Sequence, residues 1–403
     1  MSSTASGGDA LKVFVRVRPP LPRESADDCV VIADDDAKVV SVVEPAKAKN
    51  SSRARAHEAH QFAFDGVFAP DAAQSDIFET AVVPQVEACL QGFNSTVFCY
   101  GPSGTGKSYT CYGPEGAVGG VLDAATTPRK HTSAARWAGS PEAGLIPRAA
   151  AQLFGAIERA RHGRFLLRVS FVQLYRENLS DLLAPASGAL HIREDPSRGV
   201  FVEGLTEVAV RSPHDAWALA ARGQRQRTTA ATRLNDVSSR SHALFTMIVE
   251  QAGGGESFGK EKKTGGALSS SASAPTLHPG AGEAKKGDST AASALKLSRL
   301  NLVDLAGSER AALMGESGDR LEESKKINLS LSALAKVMAT LCEASGKAGG
   351  KVGHVPYRDS KLTRMLQDSL GASPRNSAQF GAILRSCLTA APPPFQAATS
   401  ARR

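Results

Sequence analysis

The sequence predicts an α/β fold of three layers, in which helices flank a central, mostly parallel sheet. The first reason is that apolar, strand-like stretches alternate with stretches of helical period along most of the chain. The second is that the apolar strand at 96–100 runs directly into a glycine-rich turn followed by a plausible helix.

Each element has its own pattern. Residues 11–19 alternate apolar and basic side chains and stop at prolines, which is typical of a strand. Residues 75–90 form a predicted helix that ends at Gly92. Further predicted strands are the β-prone stretches 166–175, 243–249 and 300–303, and further predicted helices are 145–159 and 327–341.

Two long stretches interrupt this alternation. Residues 113–143 are rich in glycine, alanine and proline, and residues 253–296 cannot bury enough apolar surface to order themselves. We therefore expect both to be loops inserted into one domain over 11–371, the second of them flexible. Residues 1–10 are expected to be disordered, and residues 372–403 to form a divergent C-terminal segment.

Composition restricts the class of protein and its partners. The 403 residues carry a formal net charge of +8, which favours an acidic partner and leaves nucleic acid, anionic lipid and an acidic protein surface open. The six cysteines form no CxxC pair and no metal-ligand spacing, so we expect reduced thiols. No apolar run approaches the ~18 residues of a membrane span, so we expect a soluble, intracellular protein with no membrane insertion.

Residues 101–108 match the phosphate-binding pattern GxxxxGK[ST]. The glycines let backbone N–H groups turn towards phosphate oxygens, Lys107 can reach the β- and γ-phosphates, and Ser108 can ligate Mg²⁺. This P-loop consists of Gly101, Pro102, Ser103, Gly104, Thr105, Gly106, Lys107 and Ser108. It predicts a nucleotide site without indicating what the nucleotide drives.

Two further motifs carry groups suited to a metal-bound nucleotide. The predicted strand at 300–303 ends at Asp304, the expected form of a residue that holds a Mg²⁺-bound water opposite the P-loop hydroxyl. Gly307 has no Cβ to keep its N–H away from a γ-phosphate, and Glu309 follows closely. Upstream, residues 235–242 place hydroxyls and a guanidinium before a strand, where composition alone favours a polar turn.

In this order, the three motifs resemble those of the kinesin family. Asn-x-x-Ser-Ser-Arg-Ser-His and Asp-Leu-Ala-Gly-Ser-Glu after a P-loop are similar to the family's switch I and switch II. Similar stretches also occur at 16–19 (Arg-Val-Arg-Pro), 94–100, 144–148 and 355–364 (Val-Pro-Tyr-Arg-Asp-Ser-Lys-Leu-Thr-Arg). The resemblance implies the P-loop NTPase fold and a microtubule-stimulated ATPase that uses ATP and Mg²⁺.

The resemblance also implies roles for individual residues. Ser239 would be a second hydroxyl near Mg²⁺, with Asp304 holding a metal-bound water. Arg240 and Glu309 would form a salt bridge that closes around ATP and arranges the attacking water, and Asn328 would sense this closure. The adenine would be lined by Arg16, Arg18, Pro19 and Tyr109.

A basic segment further along the chain is the predicted track surface. Arg358, Lys361 and Arg364 lie on or just before a predicted helix that ends at Leu370, off its apolar face. So few charges usually form only a solvated face. The resemblance nevertheless favours microtubule binding by this helix and by the helix before it, 321–341.

Some stretches depart from the family pattern. Pro102 and Ser103 stand where the family usually has Gln and Thr. Where the family has a central strand, a final helix and a neck linker, the only candidate strand is 380–388, which places Arg385 in its middle. A buried unpaired arginine costs several kcal/mol. We therefore expect imperfect pairing or an open core there, no neck linker, and no microtubule gliding by this chain alone.

The favoured function is a microtubule motor in which ATP hydrolysis is coupled through both switches to a track-binding surface. Its expected location is the cytoplasm, on the cytoskeleton, with tubulin and not nucleic acid as partner. The alternative is a motor-derived tether that binds nucleotide and microtubules but does not walk. A third class, an unrelated P-loop NTPase such as a nucleic-acid translocase, would need helicase-type arginines that the sequence does not show. Direction of travel, subfamily, cargo and oligomeric state are not specified by these motifs.

Overall fold

The computed structural model describes residues 11–21, 31–43, 59–114, 140–160, 164–196, 199–233, 239–252, 296–309, 319–345, 353–371 and 381–387. Over these ranges the strands form one large sheet, a two-stranded hairpin and a three-stranded sheet. The strands are β1 (Leu11–Val17), β2 (Val31–Asp34), β3 (Val39–Val43), β4 (Ala59–Ala63), β5 (Gly66–Phe68), β6 (Ser95–Tyr100), β7 (Arg164–Tyr175), β8 (Asn178–Asp181), β9 (His191–Asp195), β10 (Gly199–Glu203), β11 (Val208–Val210), β12 (His242–Ala252), β13 (Lys296–Asp304) and β14 (Gly381–Cys387).

Helices cover both faces of the large sheet. They are α1 (Gln74–Ile77), continued by a π-helical turn (Phe78–Val82) into α2 (Val83–Leu90), then α3 (Lys107–Tyr112), α4 (Leu145–Arg159), α5 (Pro213–Arg233), α6 (Asp319–Ser345), α7 (Lys361–Met365) and α8 (Gln367–Leu370). Helices α1 to α5 contribute to one apolar core, and α6 to α8 to another. Among the described helices, none is long and apolar enough to cross a membrane.

The large sheet separates the two cores because side chains of a strand alternate between its faces. In β6, Val97 and Cys99 belong to the core shared with α2 and α4, whereas Phe98 and Tyr100 belong to the core shared with α6 and α7. All six side chains of β6 are buried, as expected for a strand covered on both faces. The predicted three-layer α/β fold is confirmed.

The strand order of the large sheet is β11-β7-β12-β13-β6-β14-β1-β5, with β8 paired to β7. The strands from β13 to β5 are parallel, and those from β11 to β13 are antiparallel. The sheet is therefore parallel over most of this path, as predicted. The P-loop follows β6 at the centre, at the carboxyl end of the parallel strands, where ligands of such sheets bind.

The C-terminal strand β14 corrects one expectation. It lies between β1 and β6 and pairs with β1 in parallel along its whole length, from Gly381 to Cys387. It also pairs in parallel with β6, where Arg385 stands opposite Tyr100. The expectation of an imperfectly paired or open core was wrong, because the backbone completes the sheet from both sides. The rest of the segment 372–403 lies outside the described residues.

The predicted helix ending at Leu370 is interrupted. Its backbone leaves the helical conformation at Leu366 (φ −94°, ψ 1°), which separates α7 from α8. Ser360 caps α7 by accepting a hydrogen bond from the Thr363 N–H at 3.2 Å. Most of both predicted loops, 115–139 and 253–295, lies outside the described residues, as do residues 1–10. Among the described side chains, the free cysteines are Cys89, Cys99, Cys111 and Cys342.

Candidate functional site

The P-loop connects β6 to α3 through a tight turn. Gly101, Gly104 and Gly106 have φ angles of +151°, +77° and +91°, which other residues rarely adopt. Thr105 Oγ1 donates to the Pro102 carbonyl at 2.8 Å and closes the turn. Because this turn follows directly on a buried central strand, its backbone is fixed relative to the sheet.

Lys107 lies at the end of this turn and is 7% exposed. Its Nζ donates to the carbonyl oxygens of Gly101 at 3.0 Å and Pro102 at 2.8 Å. Burial lowers the pKa of the ammonium, and the carboxylates of Asp304 and Glu309 oppose this effect. The lysine is therefore held against the loop, within the electrostatic reach of both predicted switch II carboxylates.

Asp304 lies at the end of β13 and joins the P-loop to a buried arginine. Ser108 Oγ donates to Asp304 Oδ2 at 2.7 Å, and Arg227 Nη1 donates to the same oxygen at 2.6 Å. Arg227 also donates to Ser241 Oγ at 3.2 Å and to the Ser241 carbonyl at 2.7 Å. Burial disfavours the guanidinium charge, but Asp304 outweighs it and raises the pKa of Arg227. Asp304 thus links the P-loop to α5, and Arg227 extends this link to Ser241 of switch I.

Arg227 was not among the predicted site residues. It is 2% exposed and lies on α5, whose Trp217, Ala220 and Ala221 are buried in the core against β7. Ala220 lies seven residues before Arg227, and residues seven apart lie on the same side of a helix, so Arg227 continues this buried face. An arginine on an apolar face is the sequence signal that could have identified it, because a buried arginine needs a partner.

The oxygens at this point fit a magnesium ion. Asp304 Oδ1 is buried and has no hydrogen-bond partner among the described residues, although Oδ2 has two. Mg²⁺ is usually bound by one or two carboxylates, waters and substrate phosphates rather than by a cage of protein ligands. Asp304 Oδ1 is a carboxylate oxygen of this kind, and the Ser108 hydroxyl can serve as a further oxygen ligand of the metal. Ser239, the third predicted metal residue, lies on the adjoining segment described next.

Switch II contacts both switch I and the P-loop. The Gly307 N–H donates to the Ser239 carbonyl at 2.8 Å, and the Ser308 N–H donates to the Gly101 carbonyl at 3.2 Å. A Cβ on Gly307 would lie 2.3–2.4 Å from the Glu309 carboxylate oxygens and from Ser103 Oγ, so a larger residue here would displace the Glu309 and Ser103 side chains. The motifs predicted to act together, although far apart in sequence, are therefore adjacent in space.

Glu309 contacts the P-loop directly. Its Oε2 accepts a hydrogen bond from the Ser103 N–H at 2.9 Å, and its Oε1 accepts one from Ser103 Oγ at 2.6 Å. A loop amide of the kind that cradles phosphate is thus bonded to a carboxylate of the same protein. Arg240, its predicted salt-bridge partner, is half-buried on the adjoining switch I turn.

Arg16 and Tyr109, two of the residues predicted to line the adenine, lie close together, with Tyr109 on α3. The Arg16 guanidinium lies 5.3 Å from the centroid of the Tyr109 ring. Arg16 Nη1 donates to Thr110 Oγ1 at 2.8 Å and to Gln74 Oε1 at 3.0 Å, and these two partners were not predicted. Tyr109 is 38% exposed, so its ring is accessible for stacking. The other predicted residues, Arg18 and Pro19, follow β1, where Arg18 Nη1 donates to the Pro19 carbonyl at 2.9 Å.

Comparison with known proteins decides the family. The family model described as the kinesin motor domain matches residues 16–378. The chain belongs to the kinesin family. It is 36% identical to the kinesin-like protein KIN-12B of Arabidopsis thaliana over 92% of this chain and 24% of that protein. It is also 36% identical to the kinesin heavy chain of Neurospora crassa over 93% of this chain and 32% of that protein.

A solved kinesin structure shares the fold. It is titled "Structure of a fast kinesin: Implications for ATPase mechanism and interactions with microtubules". The two structures superpose with a TM-score of 0.66 at 33% sequence identity, and the match covers 97% of this chain and 88% of that one. The chain spans a quarter to a third of the length of the two curated relatives above, 24% and 32%.

The predicted track residues of this kinesin lie on the side of the sheet covered by α6 to α8. Arg358 lies in the 3-10 turn before α7, has a side chain that is 78% exposed, and approaches Glu194 of β9 at 3.6 Å. Lys361 is the first residue of α7, and its N–H donates to Glu177 Oε2 at 2.8 Å. Arg364 follows one turn later and is half-buried. The β9–β10 hairpin therefore borders the basic segment.

Proposed function

We propose that this chain is an ATP-dependent microtubule motor domain, in which nucleotide hydrolysis is coupled through switch I and switch II to a microtubule-binding surface. The observation that carries the proposal is that switch II is bonded both to switch I, through Gly307 and Ser239, and to the P-loop, through Glu309 and Ser103. Family membership supports microtubules as the track, and we accordingly propose a cytoskeletal location.

The chemistry divides among residues already in place. Bound ATP and Mg²⁺ would supply the reactive γ-phosphate and the charge that neutralises its oxygens. Lys107 and the P-loop amides hold the phosphates, and Ser108 with Asp304 holds the metal, assisted by Ser239. Arg16 and Tyr109 hold the base. In this reaction class the protein mainly positions groups and stabilises charge, and these side chains are suited to both tasks.

Coupling would depend on a change of partner by Glu309. Its carboxylate is bonded to Ser103 of the P-loop, the part of the loop that faces switch II. We infer that closure around the nucleotide moves Glu309 from Ser103 to Arg240, where the pair arranges the attacking water. An ion pair that forms in only one state makes the switches bistable, so the nucleotide can change a distant surface.

The experiment that tests this function is steady-state ATPase activity as a function of microtubule concentration, combined with cosedimentation at several salt concentrations. We expect stimulation by microtubules, and binding that weakens with salt because surface charges are screened over about 8 Å at physiological ionic strength. Changing Arg358, Lys361 and Arg364 together to Ala should weaken binding and stimulation and leave basal ATPase unchanged. Binding without stimulation would support the tether instead, and the absence of both would refute the proposal.

A control variant distinguishes this surface from general charge. Arg159, Arg164 and Arg225 are exposed, and the helices α4 and α5 that carry two of them lie across the sheet from α7. Changing these three to Ala removes the same charge. It should leave cosedimentation unchanged, and equal losses in both variants would mean that only net charge matters.

A further inference from the structure

His242 ends switch I and begins β12, and its ring touches two other functional elements. It is 2% exposed. The Ala306 N–H, directly before Gly307 of switch II, donates to His242 Nδ1 at 3.1 Å. On the other side of the ring, Nε2 lies 2.8 Å from Ser330 Oγ on α6. One imidazole therefore bridges switch II and the long helix of the track side.

The neighbouring groups fix the direction of each hydrogen bond. Because a backbone N–H can only donate, His242 Nδ1 must be the acceptor, and the proton of the neutral ring must be on Nε2. Ser330 Oγ lies 2.7 Å from the Ile327 carbonyl and donates to it, so the hydroxyl is free to accept from Nε2. The chain of bonds runs without conflict from Ala306 through His242 and Ser330 to Ile327.

We propose that His242 is a positioning residue that transmits the state of switch II to α6 through Ser330. This inference rests on the proposed function, since it concerns how the nucleotide site controls the microtubule-binding side. Gly307 of switch II is bonded to the Ser239 carbonyl of switch I. A displacement of Gly307 also displaces Ala306, the residue directly before it. The ring then either moves with Ala306 and pulls on Ser330, or loses one of its two bonds.

The ring is suited to this role because it stays neutral and has little room. Burial, with a smaller contribution from Arg227, lowers the pKa of His242 to about 3. The Nδ1 acceptor is therefore maintained throughout the physiological pH range. Leu331, the residue after Ser330, is buried in the same core as Leu334 and Val337 of α6. Because these side chains are packed together, a displacement at Ser330 moves the helix as a unit.

The experiment measures microtubule affinity with a non-hydrolysable ATP analogue and with ADP, and takes the ratio of the two as the coupling. Ser330→Ala removes the acceptor for His242 on α6, together with the bond of the hydroxyl to the Ile327 carbonyl within that helix, and should reduce this ratio at least about fivefold, within the usual range of coupling between sites. The KM for ATP should change less than about twofold. Ser332→Ala, an exposed hydroxyl two residues away on α6, is the matched control and should leave the ratio unchanged.

A second variant guards against unfolding of the first. The shorter side chain in His242→Asn can still accept from the Ala306 N–H but cannot reach Ser330, so this variant should lower the ratio to the same extent. The double variant should be no worse than either single one, because all three break the same link. Thermal unfolding midpoints of all variants establish that the comparison is between folded proteins.

The outcomes separate this inference from the proposed function. A wild-type ratio near one overturns the proposed function and this inference with it. A wild-type ratio well above one that persists in Ser330→Ala or His242→Asn overturns only the role of His242. Additive losses in the double variant also overturn it, because they would show that the two side chains act separately.

Discussion

Replacing Arg227 by methionine tests the buried pair at the centre of the site. Both partners are almost completely inaccessible, with side-chain exposures of 2% for Arg227 and 1% for Asp304. Methionine retains a long apolar side chain, so the change removes charge and hydrogen bonds more than volume. Removing one partner of a buried ion pair costs about 3–5 kcal/mol, because the other charge remains uncompensated. The two bonds to Ser241 are lost as well.

This loss is large compared with the stability of a domain, which is about 5–15 kcal/mol. Urea unfolding followed by fluorescence measures it directly, since the fully buried Trp217 lies on the same helix as Arg227. Arg225→Met, an exposed arginine two residues earlier, is the control and should change the free energy of unfolding by less than about 0.5 kcal/mol.

A double variant refines the test. Adding Asp304→Asn to Arg227→Met removes the charge that the first change left unpaired, so the double variant should be less destabilised than the sum of the singles. A loss below about 1 kcal/mol in Arg227→Met, or strictly additive losses, would refute the reasoning that this pair is buried and mutually dependent.

Three further predictions concern single steps. Lys107→Ala should abolish ATP binding, because loop amides alone do not neutralise the phosphates; near-normal affinity in calorimetry would contradict the P-loop assignment. Glu309→Ala and Arg240→Ala should each leave ATP binding largely intact and slow single-turnover hydrolysis by orders of magnitude, and the double variant should be little slower than either; multiplicative losses would mean that they do not act as a pair. Burial lowers the pKa of His242 to about 3 in the folded state, so below about pH 6.5 the unfolded state takes up a proton that the folded state does not. The contribution of His242 to the free energy of unfolding is therefore complete above that pH and declines below it by up to about 1.4 kcal/mol per pH unit. His242→Asn should remove this part of the slope in urea titrations between pH 6.5 and 4.5, and an unchanged slope would contradict burial of the neutral ring.

Much of this arrangement follows from local sequence, because local patterns determine strands and loops. The alternation in β1, the apolar run of β6 and the glycines after it predicted the centre of the sheet and the P-loop. Residues whose role depends on a tertiary contact were harder to predict from the sequence. Arg227 meets Asp304 across 77 positions and Ser103 meets Glu309 across 206, so no window of sequence contains both members.

Two errors have a common physical origin. The prediction against a central strand at 380–388 considered only the cost of burying the Arg385 side chain. The backbone of β14 nevertheless pairs with a strand on each of its sides. The interruption at Leu366 was missed because apolar spacing continues across it. Leu362, Leu366 and Leu370 are all buried in one core although the helix is broken between them. The spacing of apolar residues indicates which side of a segment faces the core, but it does not indicate whether the backbone hydrogen bonds of a helix continue.

The position of β14 has a consequence for how the protein folds. This strand is the last described element of the chain and lies between β1 and β6, whose residues precede it by about 370 and 285 positions in the paired register. During synthesis, both neighbours are made long before the strand that joins them. The inner edges of β1 and β6 stay unpaired during that interval, and unpaired strand edges favour aggregation. Because non-local parallel pairing is also intrinsically slow, chaperone dependence should be concentrated in the interval before residues 381–387 leave the ribosome.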